Sequence, residues 1–198
     1  MVEHMYKTMA DISHAVMQLS RHMSAPTHAH WALLKHIFRY LKGHNNGIRY
    51  YRRSTPMQLV GYVDAKWAGD ARSRRSTTGY MFTFGGAAVS WNSRLQPIVA
   101  TSSTEAEYIA LSTAAQEAVA LRRLFPALRI EQQQPTVLYE DNQGAIALSN
   151  NAGGDHRRTK HIDVRYHYVR ELVDNKHINI MKISTEVQCA ESADLFES

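Results

Sequence analysis

Apolar residues recur every three or four positions through the first quarter of the chain. This helical period covers residues 11–23 and, after the break at Ala25-Pro26-Thr27, residues 28–42, which predicts two amphipathic helices that form a hairpin. Lysine and arginine fall on the opposite side of the second helix, so we expect apolar stripes that face inward and a basic outer face. The inward stripes are Ile12, Ala15, Val16, Leu19 and Met23 on the first helix and Trp31, Leu34, Ile37, Phe38 and Leu41 on the second.

Beyond a predicted boundary near residue 56, the pattern changes to the two-residue alternation of β-strands. The predicted elements are strands at 58–65, 78–84 and 87–92, a helix at 103–125, a strand at 136–141, helices at 142–150 and 161–175, a strand at 178–183 and a last helix from about 190. Gly85-Gly86 marks a tight hairpin turn, and three consecutive antiparallel strands are the simplest arrangement. The order βββαβαβα predicts an α/β fold with a mixed sheet over residues 57–198, preceded by the helical segment 1–56.

Charge adds a candidate partner to this picture. The chain carries 23 Lys+Arg against 18 Asp+Glu, and residues 1–56 alone hold 8 basic and 2 acidic residues, a distribution that suits a polyanion. The single cysteine, Cys189, excludes an intrachain disulfide and a cysteine-rich zinc site and fits a reducing compartment. No apolar run approaches the length of a membrane span and no signal-peptide pattern is present, so we expect neither membrane insertion nor secretion.

Three acidic residues stand where a soluble protein rarely places them. Asp64 and Asp141 each end a predicted strand, whereas Glu107 lies on the apolar stripe of the long predicted helix. A turn or cap role for the aspartates and a buried ion pair for Glu107 stay open as alternatives. Glu105 falls on the opposite side of the helix and is expected to form a capping box with Ser102. Carboxylates that converge from different elements are what hard divalent cations require.

Several blocks of the chain stand together as a set of motifs with consistent spacing. They are Gly61-Tyr62-Val63-Asp64-Ala65-Lys66-Trp67-Ala68-Gly69-Asp70, Arg75-Ser76-Thr77-Thr78-Gly79-Tyr80, Ser90-Trp91, Ser102-Ser103-Thr104-Glu105-Ala106-Glu107-Tyr108, Asp141-Asn142-Gln143-Gly144-Ala145 and Arg158-Thr159-Lys160-His161-Ile162-Asp163. These blocks resemble the ribonuclease H domains of copia-type (Ty1/copia) retrotransposon Pol polyproteins. Residues 8–43 resemble the stretch that joins the reverse transcriptase to that domain.

The resemblance implies a ribonuclease H-like fold, built on a five-stranded mixed sheet, and a metal-dependent endonuclease that cuts the RNA strand of RNA/DNA hybrids. It also implies two Mg²⁺ ions, with Mn²⁺ as a substitute, held by Asp64, Glu107, Asp141 and a fourth acid. Family members usually place that acid in a Gln-x-Ala-Asp motif, whereas here Gln188-Cys189-Ala190 is followed by Glu191, and Ala-Asp-Leu-Phe comes three residues later. We expect Asp194 to be the fourth ligand, with Glu191 as the alternative.

Further residues are expected to contact nucleic acid, with an RNA/DNA hybrid and the reverse transcriptase portion of the same polyprotein as partners. They are Asn142, Gln143, Arg157, Arg158, Lys160, His161 and Arg165. Helix capping by Asn142 and a solvated basic face are the alternatives. The implied location is a cytoplasmic virus-like particle or the nucleus. A different class of function also stays open, namely a catalytically weak or inactive domesticated domain that binds nucleic acid or a polymerase.

Overall fold

The structure, a computed structural model, describes residues 12, 14–43, 57–150 and 160–184. Its elements are α1 (14–20), α2 (His28–Gly43), β1 (Leu59–Lys66), β2 (Thr77–Phe84), β3 (Ala87–Leu95), α3 (Ser103–Leu124), a 3₁₀ turn (Phe125–Leu128), β4 (Thr136–Glu140), α4 (Gln143–Asn150), α5 (Lys160–Asp174) and β5 (Ile178–Lys182). This order confirms the predicted α/β succession as far as β5. The helix predicted from residue 190 lies outside the described residues.

The five strands form one mixed sheet in the order β3-β2-β1-β4-β5. The pairs β1–β2 and β2–β3 are antiparallel, whereas β1–β4 and β4–β5 are parallel. Gly85 and Gly86 connect β2 to β3 with φ angles of 58° and 80°, the left-handed values that a two-residue type I′ turn requires at both positions. The predicted antiparallel meander and five-stranded mixed sheet are confirmed.

Helix α3 packs on the sheet through a series of small side chains. Ala106, Ala110, Ala114 and Ala118 are completely buried, and their spacing of four residues places them on one side of the helix. Strand residues that are also fully buried, Leu59, Val63, Phe82 and Leu138, complete this core. The alanines allow the helix backbone to lie close to the sheet. This brings the carboxylate of Glu107, which lies between Ala106 and Ala110, near the ends of the strands.

Gly61 in the middle of β1 leaves no room for a side chain. A Cβ atom at this position would lie 2.6 Å from Leu138 Cδ2 and 2.6 Å from Phe82 Cε1, and both neighbours are fully buried. We expect Gly61→Ala to lower the free energy of unfolding by about 1–3 kcal/mol, because the core must shift to admit one methyl group. Urea denaturation measures the change.

The matched control for that substitution is Gly79→Ala in the neighbouring strand. A Cβ atom at Gly79 would meet only the Asp64 carbonyl oxygen, at 3.7 Å, which is ordinary van der Waals contact. We therefore expect a much smaller loss of stability for Gly79→Ala. Equal losses for the two variants would show that the close approach at Gly61 does not limit the packing of this core.

The predicted inward orientation of the α2 stripe is wrong for its aromatic residues. Ile37 is buried, but Trp31 is 58% exposed and Phe38 is 61% exposed. Helix α2 makes few contacts with the sheet or with the other helices of the described chain. Val16 and Met23, predicted to face inward on a first helix over residues 11–23, are also exposed, and Met23 lies beyond the end of α1. Periodicity identifies an apolar face but does not say whether a partner covers it.

Among the described residues, His14 of α1 and Arg21 of the turn after it contact the sheet domain. His14 Nδ1 lies 3.2 Å from Ser93 Oγ on β3, and the Arg21 guanidinium forms an ion pair with Asp70 in the loop between β1 and β2. The Asp70 carboxylate also accepts hydrogen bonds from the backbone N–H groups of Arg72 and Ser73. Asp70 therefore organises its own loop and connects it to the helical segment.

We expect Asp70→Ala to lower the melting temperature more than Arg21→Ala does, because the second change leaves both backbone hydrogen bonds in place. Those backbone N–H groups, followed by Arg21, lower the pKa of Asp70 from 3.8 to about 2. Because the pKa of Asp70 is lower in the folded protein than in the unfolded chain, its ionised carboxylate stabilises the fold at pH values above the unfolded-state pKa. This contribution is lost as the pH falls from about 4 to about 2. Circular dichroism melts of the parent and both variants measure it. A parent-to-Asp70→Ala difference that stays constant over this range would contradict the assignment.

The predicted boundary near residue 56 stays a prediction, because residues 44–56 lie outside the described ranges.

Among the described helices, none combines the length and the apolar character that a bilayer span needs.

Candidate metal centre

Three carboxylates meet at one end of the sheet. Asp64 lies near the end of β1, Asp141 directly follows β4, and Glu107 comes from the second turn of α3. Tyr62 pairs with Tyr139 in the parallel β1–β4 register, so the two aspartates, each two residues further on, emerge side by side. One carboxylate oxygen from each acid lies within 4.8 Å of those of the other two. The structure thus brings together the three acids selected from the sequence.

Glu107 is the buried member of this set. It is 7% exposed, its carboxylate accepts a hydrogen bond from the backbone N–H of Ala65, and its Oε2 atom has no hydrogen-bond partner among the described residues. Burial raises the pKa of Glu107 well above its usual range, and the charges of Glu140, Asp64 and Asp141 raise it further. Within the described ranges no lysine or arginine forms an ion pair with Glu107, so the alternative of a buried ion pair finds no partner there.

These residues fit a divalent cation. An unpaired buried carboxylate oxygen is costly, and three acids held this close repel each other when ionised. A hard cation prefers oxygen ligands of this kind, and its charge would offset both costs. Asp64 and Asp141 are partly exposed, so the cluster is accessible from solvent on the side of the aspartates.

Sequence reasoning missed a fourth carboxylate in this region, that of Glu140. The residue is completely buried, its Oε1 atom accepts a hydrogen bond of 3.1 Å from the backbone N–H of Asn142, and its Oε2 atom has no partner among the described residues. Burial raises the pKa of Glu140, and the charges of Asp141 and Asp64 add to this effect. The alternation of buried and exposed residues along β4 could have identified Glu140 as buried, because Glu140 follows the buried Leu138 by two residues.

The residues that start α3 show why Glu105 has a different role from Glu107. Ser102 Oγ accepts a hydrogen bond of 3.1 Å from the backbone N–H of Glu105, which confirms the predicted N-cap. The Glu105 carboxylate accepts from the backbone N–H of Thr101 at 2.7 Å, one residue before the position that a capping box would use. Glu105 therefore stabilises the start of the helix, two residues before the acid that joins the cluster.

The predicted nucleic-acid contacts are only partly within the described chain. Asn142 Oδ1 accepts a hydrogen bond of 3.0 Å from the backbone N–H of Ala145, so this side chain caps α4, as the alternative proposed. Gln143 is exposed at the first position of α4, and Arg165 is half-buried on α5. Lys160 and His161 begin α5. Their side chains lie outside the described part of the structure, as do Arg157, Arg158, Glu191 and Asp194.

Comparison with curated proteins identifies relatives along most of the chain. It is 48% identical over 178 residues to the retrovirus-related Pol polyprotein from transposon TNT 1-94 of Nicotiana tabacum, which covers 90% of this chain. It is 37% identical over 185 residues to the Pol polyprotein from transposon RE2 of Arabidopsis thaliana, which covers 93% of this chain. The chain spans only 13% of the length of each relative. No protein-family model matches the chain.

Among solved structures, the chain is similar to LC11 ribonuclease H1, isolated from compost by a metagenomic approach. The match has a TM-score of 0.51 at 13% identity and covers 69% of this chain and 92% of that protein. A second structure of the same protein, in complex with an RNA/DNA hybrid, matches with a TM-score of 0.50 at 12% identity. At this identity the likeness establishes the fold alone. The Pol relatives show that the chain belongs to the copia-type retrotransposon Pol polyproteins, and the solved structures show that it has the ribonuclease H fold.

Proposed function

We propose that this chain is a metal-dependent endonuclease that hydrolyses the RNA strand of RNA/DNA hybrids during retrotransposon reverse transcription. The observation that carries the proposal is the convergence of Asp64, Glu107 and Asp141 within 4.8 Å. The fold and the Pol relatives support a nuclease role of the ribonuclease H type. The solved structure of LC11 ribonuclease H1 with a hybrid supports the choice of substrate.

Asp64, Glu107, Asp141 and a fourth acid would hold two Mg²⁺ ions, with Mn²⁺ as a substitute. Ions bound there supply activation of a water molecule and stabilisation of charge on the leaving oxygen. Glu107 would contribute a buried ligand, because it is 7% exposed and one of its carboxylate oxygens lies within 4.8 Å of those of Asp64 and Asp141. Asp64 and Asp141 are partly exposed and lie on the side from which a phosphodiester can approach.

Other residues would hold the hybrid in register. Arg157, Arg158, Lys160, His161 and Arg165 supply positive charge for backbone phosphates. Gln143 and the amide nitrogen of Asn142 lie next to Asp141, where they can contact the 2′-hydroxyl groups that distinguish RNA from DNA in a shallow minor groove. The reverse transcriptase portion of the same polyprotein is the proposed protein partner, and a cytoplasmic virus-like particle or the nucleus is the proposed location.

The test is cleavage of a hybrid that carries label on either the RNA or the DNA strand, with Mg²⁺, Mn²⁺ or EDTA. We expect cleavage of the RNA strand alone, dependent on the metal, and no cleavage of a DNA/DNA duplex of the same sequence. Hybrid binding without cleavage under all metal conditions would contradict the proposal and favour the inactive, binding-only alternative.

The fourth ligand has a separate prediction. We propose Asp194, because Ala193-Asp194-Leu195-Phe196 reproduces the motif of the resemblance, and Glu191 is the alternative. We expect Asp194→Asn to reduce the cleavage rate at least about tenfold, the rate equivalent of roughly 1.4 kcal/mol, and Glu191→Gln to leave it near the parent value. The reverse result would assign Glu191. Two variants with parental rates would show that the centre works without a C-terminal acid.

A further inference from the structure

Glu140 is the last residue of β4 and directly precedes Asp141. Its side chain is completely buried, and it lies on the same face of the sheet as Leu138, the face on which α3 packs. A buried carboxylate without a positive partner is costly, and no lysine or arginine of the described ranges forms an ion pair with Glu140. The position of this acid, one residue from a member of the acid cluster, points to a role there.

One oxygen of Glu140 holds the turn that carries Asp141. The Oε1 atom accepts a hydrogen bond of 3.1 Å from the backbone N–H of Asn142, so the bond spans Asp141 and fixes the backbone on its far side. Asn142 in turn caps α4, because its Oδ1 atom accepts from the backbone N–H of Ala145 at 3.0 Å. The direction in which Asp141 leaves the sheet therefore depends on Glu140.

The other oxygen, Oε2, is buried and has no hydrogen-bond partner among the described residues. The Oε2 atom of Glu107 shares both properties. Among the charged groups that raise the pKa of Glu107, Glu140 has a larger effect than Asp64 or Asp141, so the two glutamate carboxylates lie close together. Ionised carboxylates accept hydrogen bonds and do not donate them. Two neighbouring buried acceptors therefore require a donor group between them.

A hydrated cation at the acid cluster would supply that donor. Mg²⁺ gives up its water molecules reluctantly and usually keeps several of them when a protein binds it. The ion polarises these water molecules, and each has two O–H groups to donate. A carboxylate that accepts from such a water molecule, without touching the ion, orients it and raises the affinity of the site for metal.

We propose that Glu140 is a positioning residue of the metal centre. Its Oε1 atom holds the turn that carries Asp141, and its Oε2 atom accepts a hydrogen bond from a water molecule bound to the ion. The inference rests on the proposed function for the presence of a divalent ion at Asp64, Glu107 and Asp141. Glu140 touches neither the ion nor the substrate, so it contributes to the affinity for metal and not to the chemical step.

Glu140→Gln separates the two oxygens. Glutamine has nearly the same size, and its amide oxygen can keep the bond to the Asn142 N–H, because its NH₂ group cannot accept one. The NH₂ group then takes the place of Oε2 and presents a donor where the proposal requires an acceptor. The matched control is Glu131→Gln, which changes an exposed glutamate that precedes β4, at the end of the strand away from Asp141.

The test measures Mn²⁺ binding to the metal-free full chain by electron paramagnetic resonance, which detects the unbound ion. We expect Glu140→Gln to weaken binding by about tenfold to a hundredfold and Glu131→Gln to keep the affinity of the parent. Asp64→Asn, measured in the same way, assigns the bound ion to the acid cluster. The melting temperature of Glu140→Gln in EDTA should not fall below that of the parent, because the bond to Asn142 is kept.

The cleavage assay separates affinity for metal from the chemical step. We expect the half-saturating Mn²⁺ concentration of Glu140→Gln to rise by the same factor as its Kd, and saturating Mn²⁺ to restore most of the rate. Asp141→Asn should remain slow at every concentration. A rate for Glu140→Gln that also stayed low at saturation would place Glu140 in the chemical step and overturn the positioning role.

The remaining outcomes separate this inference from the proposed function. Mn²⁺ affinity of Glu140→Gln that matches Glu131→Gln would overturn the inference even if the chain cleaves RNA. Weaker binding together with a lower melting temperature in EDTA would overturn it as well, since partial unfolding would then explain the loss. A parent that binds no Mn²⁺ would overturn both. A parent that binds Mn²⁺, loses affinity through Glu140→Gln and cleaves no hybrid would sustain the inference and contradict only the proposed function.

Discussion

Asp64→Asn and Asp141→Asn are each expected to reduce cleavage of the RNA strand at least about a thousandfold, which corresponds to about 4 kcal/mol of transition-state stabilisation. Asparagine keeps the shape of the side chain but removes the negative charge that a divalent cation needs. The cleavage rate with labelled RNA in Mg²⁺ measures the loss. Hybrid affinity in Ca²⁺, measured in parallel, should change far less than the rate.

The matched control for these two variants is Glu105→Gln. This change removes a carboxylate from the same region of the chain, but Glu105 bonds to the backbone N–H of Thr101 and stays outside the acid cluster. We expect its cleavage rate to remain within a fewfold of the parent. Rates for Asp64→Asn and Asp141→Asn that also stayed close to the parent would mean that the clustered acids do not serve catalysis.

Glu107→Gln is expected to make the metal-free protein more stable and to abolish its response to metal. In the unfolded chain this carboxyl group ionises near its ordinary pKa of 4.5, whereas burial, with the charges of the nearby acids, raises the pKa in the fold. When folding raises the pKa of an acid, the free energy of unfolding decreases as the pH rises above the pKa that the acid has in the unfolded chain. The advantage of the variant in EDTA should therefore grow by about 1–3 kcal/mol between about pH 5 and about pH 7.

Urea denaturation in EDTA across this pH range measures the effect, and a second series in Mg²⁺ shows the response to metal. We expect Mg²⁺ to stabilise the parent and to have little effect on Glu107→Gln, because ligand binding to the folded state alone raises its stability. Glu105→Gln is again the control. A variant that is no more stable than the parent in EDTA, or that gains as much from Mg²⁺, would contradict this assignment of Glu107.

Local sequence patterns predicted most of the sheet because its strands obey simple rules. Strand alternation located β1, β2, β4 and β5 to within one or two residues, and two consecutive glycines located the β2–β3 turn. Strand β3 extends to Leu95, three residues beyond the prediction, because Ser93 and Arg94 are polar. The orientation of α2 was not predictable in this way, since Trp31 and Phe38 are apolar whether or not another surface covers them.

The acid cluster was predictable for a related reason, since its members violate local rules. Glu107 on an apolar helix face is conspicuous, and so are aspartates at strand ends. Glu140 was overlooked because a glutamate next to Asp141 looks like ordinary strand-end polarity until alternation assigns it to the buried side.

The parallel pairing of β1 with β4 brings together Val60 and Val137, which are far apart in the sequence. This separation along the chain affects the order in which the elements fold. Contacts between neighbouring segments form earlier than such distant ones, because closing a long loop costs more chain entropy. The hairpins of β1, β2 and β3 can therefore assemble on the ribosome while β4 is still being synthesised. The repulsion that Glu140 and Asp141 add to that between Asp64 and Glu107 arises only when β4 docks, so we expect divalent ions to accelerate a late kinetic phase most strongly.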